Sequence, residues 1–142
     1  MDTSHFHPMT VHFPIALILT GFLLDVISMI RKKDDSYSKA GYYLMILGTL
    51  AAVTGYLTGE FFTGEFKGPA ADLKETHELF AKIAMWTMIF ATSLRIILTQ
   101  LKKENGSLRW LIFGLYFIAV LSVSYAGLLG GQLVYNNMIP SP

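Results

Sequence analysis

The chain has 142 residues, of which 53% are hydrophobic and 15% are charged, and its mean hydropathy is +0.48. Values this high exclude an ordinary soluble domain and predict an integral membrane protein. The net charge of +1 gives no sign of a nucleic-acid partner. Because the chain has no cysteine, disulfides, thiolate metal sites, iron–sulfur clusters and covalently attached haem are excluded.

Four apolar segments follow one another along the chain, and each approaches the ~20 residues that span a hydrocarbon core. Their approximate bounds are Met9–Ile30, Ala40–Leu57, Leu79–Leu98 and Trp110–Gly131. Only helices and closed barrels satisfy the backbone polar groups in lipid, and the connections between the segments are short. The sequence therefore predicts an all-α, transmembrane up-down-up-down four-helix bundle, with residues 1–142 forming a single integral membrane domain.

Basic residues are concentrated in two of the three connections between these segments. Because cytoplasmic loops carry the excess of lysine and arginine, we expect both basic connections on the cytoplasmic side, and the acidic second connection on the opposite side. The protein is then a multi-pass membrane protein with both termini on the outer side of the membrane. The basic residues are Arg31, Lys32, Lys33, Lys39, Lys102, Lys103 and Arg109, and the acidic ones are Glu60, Glu65, Asp72, Glu75 and Glu78.

Local signals predict where two of the helices begin. Pro8 suits the first turn of a helix, where a missing N–H costs nothing, and Pro14 would then kink that helix; a start at Pro14 is the alternative. Asp72 followed by Glu75 matches a capping box, which begins the third helix before His77. The amino terminus lacks the basic region and the cleavage site of a signal peptide, so we expect the first segment to be retained.

The chain has four histidines, and the predicted topology gathers all of them at one end of the bundle. His5, His7 and His12 lie at the outer end of the first segment, and His77 lies at the outer end of the third. These two segments are diagonal neighbours, so their side chains can face one another across the bundle axis. Two neutral imidazoles on opposing helices can bind a haem iron from both faces. The first-choice axial pair is His12 with His77, and His7 is a substitute ligand or supports one of the ligands.

Small residues accompany the histidines at the same end of the bundle. A flat macrocycle needs such space, although close helix packing through small residues is the alternative explanation. Tyrosines at this level could hydrogen-bond a propionate or a quinone, or belong to the interfacial aromatic belt. The glycines predicted to line a cofactor site are Gly55, Gly59, Gly127, Gly130 and Gly131, and the tyrosines are Tyr56, Tyr125 and Tyr135.

Asp25 and Arg95 are ionisable residues inside the first and third segments. From His77 to Arg95 is 18 residues, or five helical turns, which places both on one helix face about 27 Å apart. Asp25 lies at a similar depth, and an ionisable side chain inside a membrane is costly unless it is paired. We therefore predict a structural ion pair between Asp25 and Arg95, with a role in proton or quinone chemistry as the alternative.

Several motifs together resemble a known family. They are "HPMTVHFPIAL" from His7, followed by Asp25, "TG" at Thr54, "HELF" from His77 and "GGQLVY" from Gly130. Over nearly the whole chain they resemble the small bacterial membrane domain called domain of unknown function 2231. The resemblance implies a four-helix inner-membrane domain that in related proteins occurs alone or joined to cytochrome-like or redox modules. It also implies that His7, His12 and His77 are the family's marked histidines, whereas His5 is particular to this sequence.

From these residues we expect a membrane-embedded electron-transfer protein that binds haem b near the periplasmic face. One haem is expected, and a second is open if His5 takes part. Such a carrier is surrounded by membrane lipid, receives electrons from quinol or a membrane dehydrogenase, and passes them to a periplasmic acceptor. It is expected to act as a carrier or as a subunit of a homo- or hetero-oligomeric complex, rather than as a stand-alone enzyme.

Two other classes of function remain open at this point. His7, His12 and His77 could form a three-histidine site for copper or zinc. Alternatively, the protein is a cofactor-free assembly subunit whose histidines satisfy hydrogen bonds at the membrane interface. No glycine-rich phosphate loop, no H-E-x-x-H motif and no nucleophile–base pair supports hydrolase or nucleotide chemistry.

Overall fold

The computed structural model describes residues 6–31, 33–63, 67–103 and 106–137. The described residues form helices α1 Phe6–Thr10, α2 His12–Ile30, α3 Asp35–Phe62, α4 Pro69–Gln100 and α5 Ser107–Asn137. Four stretches are long and apolar enough to cross a membrane, with α1 and α2 together forming the first. The predicted four-helix transmembrane architecture is thereby confirmed. His5, Lys32 and Glu65, which entered the sequence analysis, lie outside the described residues.

The three later helices extend beyond the apolar segments that predicted them. α3 begins directly after Asp34, whose carboxylate accepts a hydrogen bond from the Ser36 amide at 2.9 Å, and this bond lowers the pKa of Asp34. α4 begins at Pro69, after Gly68. It therefore starts before His77, as predicted, but Asp72 lies inside the helix, so the predicted capping box is wrong. Pro69 is preorganised for a first helical position. The polar residues that follow it continue the helix outside the region that hydropathy marks.

The first span is interrupted between α1 and α2. Pro14 has no N–H, so the carbonyl of Thr10 receives no helical hydrogen bond from the residue four positions later. The backbone continues through Val11. The Val11 amide donates to the His7 carbonyl at 3.2 Å, and the Val11 carbonyl accepts from the Ile15 amide at 3.5 Å. The helix therefore starts before Pro14, and α1 presents His7 on a short separate turn.

The four long helices form a closed ring around one core. α2 packs mainly on α3, and α4 packs mainly on α5. Smaller contacts between α3 and α4 and between α2 and α5 complete the ring, so α2 and α4 lie diagonally opposite each other. Each long helix contributes one fully buried large side chain to the centre, namely Ile18, Met45, Met88 and Tyr116. The outward faces carry large apolar side chains such as Phe13, Leu50, Phe90 and Leu121, as expected for surfaces in contact with lipid tails.

Gly21 allows the hydroxyl of Tyr116 to lie against the backbone of α2. A Cβ at this position would be 2.4 Å from Tyr116 Oη and 3.0 Å from Leu44 Cβ. Gly21→Ala is expected to lower the free energy of unfolding by about 1–3 kcal/mol, because the fully buried tyrosine has no room to move away. Gly114→Ala is the matched control, since a Cβ there meets nothing within 4 Å. Equal unfolding curves for the two variants in detergent would contradict this packing.

Candidate cofactor-binding site

A cavity of about 320 Å³ lies between the helices, at the end of the bundle that contains α1. This volume falls within the range of about 300–1,000 Å³ that is usual for cofactor sites. The sequence analysis assigned several histidines and glycines to a cofactor site. All of them that lie in the described ranges are on the wall of this cavity. These residues are His7, His12, His77, Gly55, Gly59, Gly127, Gly130 and Gly131.

His7 and His77 face each other at this cavity from opposite sides of the bundle. Their ring centroids are 6.0 Å apart and their planes are nearly perpendicular, at 83°. His7 Nδ1 lies 3.2 Å from Thr58 Oγ1 on α3, and His77 Nδ1 lies 2.8 Å from the carbonyl of Ala126 on α5. Each imidazole is therefore held by a neighbouring helix as well as by its own.

The hydrogen-bond partner of His77 assigns the tautomer of that ring, and the partners of His7 allow the same tautomer there. The Ala126 carbonyl can only accept, so His77 Nδ1 carries the proton. Thr58 Oγ1 has one proton and lies 2.9 Å from the Gly55 carbonyl, 3.0 Å from Thr10 Oγ1 and 3.2 Å from His7 Nδ1. When this proton goes to the Gly55 carbonyl, His7 Nδ1 donates to Thr58, and both neutral rings carry a lone pair on Nε2. Histidines that bind metals are usually held in this way, with the other ring nitrogen donating to an oxygen.

His12 also lines the cavity, but it is exposed and does not face His77. Its Nδ1 atom lies 2.8 Å from the carbonyl of Pro8, so the ring turns back along its own chain. The structure thus sets His7, rather than the first-choice His12, opposite His77. Five residues along a helix correspond to a rotation of about 140° beyond a full turn, so His7 and His12 face different directions even before the interruption at Val11 is considered.

The glycines of the cavity have three different surroundings. A Cβ on Gly59 would lie 3.0 Å from His7 Cε1, and a Cβ on Gly130 would lie 3.1 Å from His77 Cε1, so these two glycines allow the imidazoles to approach the helix backbones. At Gly55 and Gly127 the nearest atoms belong to apolar side chains of α2, whereas Gly131 has nothing within 4 Å of the position of a Cβ. Helix packing and open space therefore both contribute to the concentration of small residues here.

Two of the three tyrosines considered for this site lie on its wall. Tyr56 and Tyr135 line the cavity, whereas the ring of Tyr125 packs edge-on against Phe80 with centroids 4.6 Å apart. Sequence reasoning did not identify Thr58 or the Ala126 carbonyl as partners of the histidines. A backbone carbonyl carries no residue signal, and the sequence does not distinguish Thr58 from the other helical threonines.

Asp25 and Arg95 meet far from this cavity, in the other half of the bundle. Arg95 Nη1 lies 2.5 Å from Asp25 Oδ2, and the two side chains are 11% and 12% exposed. Arg95 Nη2 donates to the Ser38 carbonyl at 3.2 Å, and the guanidinium lies 5.6 Å from the centre of the Tyr42 ring. These contacts connect α2, α3 and α4 at one level. A separate small cavity of about 40 Å³ adjoins the pair and is also lined by Arg109.

No group of three or more histidine, aspartate or glutamate side chains is arranged to hold a metal ion among the residues that the structure describes. Two of the histidines of the large cavity, His7 and His77, instead form a facing pair, and His12 lines the same cavity.

Comparison with known proteins gives one match. The model of the family described as "Predicted membrane protein (DUF2231)" matches residues 3–140. Neither the curated proteins nor the solved structures provide a match. Since the family model covers almost the whole chain and the four membrane-spanning helices agree with its description, this chain belongs to the DUF2231 family of predicted membrane proteins.

Proposed function

We propose that this protein binds haem b in the large cavity, with His7 and His77 as axial ligands, and that it transfers electrons in the membrane. The observation that carries the proposal is the facing pair of imidazoles, each with Nδ1 within hydrogen-bond distance of an oxygen on another helix, so that Nε2 of each ring is the nitrogen proposed to bind the metal. Bound haem supplies one-electron chemistry at its iron. The protein's part is to position the two nitrogens and to surround the macrocycle.

The number of facing imidazoles favours haem over a bare metal ion. Zinc and copper sites in proteins usually take three or four side-chain ligands, whereas a haem brings four nitrogens and needs two axial ones. Two imidazole nitrogens on opposite sides of one metal ion, each about 2.0–2.1 Å from it, would lie about 4 Å apart. The ring centroids of His7 and His77 are 6.0 Å apart, which is compatible with that separation. Copper or zinc bound by His7, His77 and His12 is the alternative.

The character of the cavity supports the same proposal. Its inner wall is formed mainly by small and apolar residues from every helix, and charged side chains are few. Such a wall suits a large apolar ring and excludes water from the iron. The glycines beside the two histidines remove the side chains that would otherwise fill the space next to the imidazoles.

We propose a bacterial inner-membrane location, and the charge distribution supports an orientation with both termini in the periplasm. The described ends of the α2–α3 and α4–α5 connections carry Arg31, Lys33, Lys102 and Lys103, which favours the cytoplasm for both. The histidine cavity is then near the periplasmic face. A quinol or a membrane dehydrogenase is the proposed electron donor and a periplasmic protein the proposed acceptor, with the protein acting alone or as a subunit of a complex.

The absorption spectrum of the purified protein tests the haem proposal. We expect protein expressed with sufficient haem and purified in detergent to show a Soret band, and dithionite to produce the α band of six-coordinate haem b. A colourless preparation under these conditions would contradict the proposal. If that preparation contained one copper or zinc ion per chain, the alternative metal site would replace it; if it contained no metal, the assembly-subunit class would.

A further inference from the structure

Lys74 is a cation on the wall of a cavity that is otherwise mainly apolar. The wall also carries two acidic residues, Glu60 and Glu78. The Lys74 side chain is 22% exposed, so its ammonium group lies at the rim, between water and the apolar interior. Lys74 precedes His77 by three residues on α4 and therefore occupies the same side of that helix.

We propose that Lys74 binds the carboxylate groups of the cavity's ligand, which for haem are the two propionates. This inference rests on the proposed function and adds the orientation of the ligand to it. A macrocycle with carboxylates along one edge needs a cation where that edge reaches the rim. Within the part of the chain that the structure describes, Lys74 is the lysine or arginine on this wall.

The ion pair of Lys74 with Glu78 is of a kind that allows this role. Its Nζ atom lies 3.4 Å from Glu78 Oε1 in an i,i+4 pair, and both side chains are partly exposed. Ion pairs of this kind contribute little to stability, and an ammonium group has three protons to donate. Glu78 competes with a ligand carboxylate for Lys74 and also repels it. The two residues should therefore affect binding with opposite signs.

A titration of the haem-free protein with ferric haem and with haem dimethyl ester tests the inference, with Soret absorbance as the readout. The ester has the same ring and iron but no carboxylate charge. We expect Lys74→Gln to weaken haem binding about tenfold, as for the loss of one charge-assisted hydrogen bond, and to leave ester binding unchanged. Glu78→Gln should strengthen haem binding. The unmodified protein should bind haem more tightly than the ester.

Lys82→Gln is the matched control, because it makes the same charge change on the same helix. Lys82 Nζ lies 5.8 Å from the centre of the Tyr56 ring, and Lys82 is not among the residues that line the cavity. We therefore expect Lys82→Gln to leave haem affinity unchanged. Equal affinity of the unmodified protein for haem and for the ester would overturn the inference. This comparison does not depend on the folding of any variant. Equal effects of the two lysine substitutions would also overturn the inference. Failure of the unmodified protein to bind either compound would instead contradict the proposed function.

Discussion

Arg95→Met is expected to lower the free energy of unfolding by about 3–5 kcal/mol, because removal of one partner leaves the other charge buried. The Arg95 guanidinium lies 2.5 Å from the Asp25 carboxylate, and both side chains are almost completely shielded. It also donates to the carbonyl of Ser38, so the substitution removes a connection between three helices. Unfolding of the purified protein by sodium dodecyl sulfate in mixed micelles, followed by circular dichroism, measures the loss.

A double variant separates the cost of an unpaired charge from the value of the ion pair. Asp25→Leu combined with Arg95→Met removes both charges, and we expect it to recover much of the stability lost by Arg95→Met alone. Lys82→Met removes an exposed cation from the same helix and should change the free energy of unfolding by less than about 0.5 kcal/mol. Asp25→Leu alone completes the comparison: if its loss of stability and that of Arg95→Met simply added in the double variant, the interpretation as an ion pair would be wrong.

His77→Ala and His7→Ala are each expected to reduce the haem content of the purified protein at least tenfold, because each removes one of the two proposed axial nitrogens. His12→Ala should retain most of the haem, since the His12 ring is exposed and bonded to the carbonyl of Pro8. The ratio of Soret absorbance to protein absorbance measures haem content. Retained helical circular dichroism in each variant shows that the bundle still forms.

Addition of imidazole distinguishes a lost ligand from a damaged cavity. The space left by the His77 side chain should admit free imidazole, which then restores the six-coordinate spectrum of His77→Ala with added haem. A different pattern, in which His12→Ala loses haem and His7→Ala keeps it, would show that His12 and His77 form the axial pair. That result would favour the sequence-based first choice over the arrangement described above.

The sequence by itself determined the class of the protein, its four spans and the end of the bundle at which the histidines gather. Apolar length and charge distribution are local properties of the chain, so they can be read without knowledge of packing. The common depth of Asp25 and Arg95 follows in the same way, because the helical rise converts residue number into height. Hydropathy did not reveal the polar ends of the helices, because these ends lie in water rather than in lipid. α4, for example, begins as early as Pro69.

Only the tertiary structure decided which side chains meet at a given height. A helical position turns by about 100° per residue, and the sequence does not specify how each helix is rotated about its own axis, so sequence spacing could not choose between His7 and His12. The partners of the imidazoles, Thr58 and the Ala126 carbonyl, come from other helices. Depth in the membrane is therefore a property of the sequence, whereas facing across the bundle depends on how each helix is rotated when the four pack together.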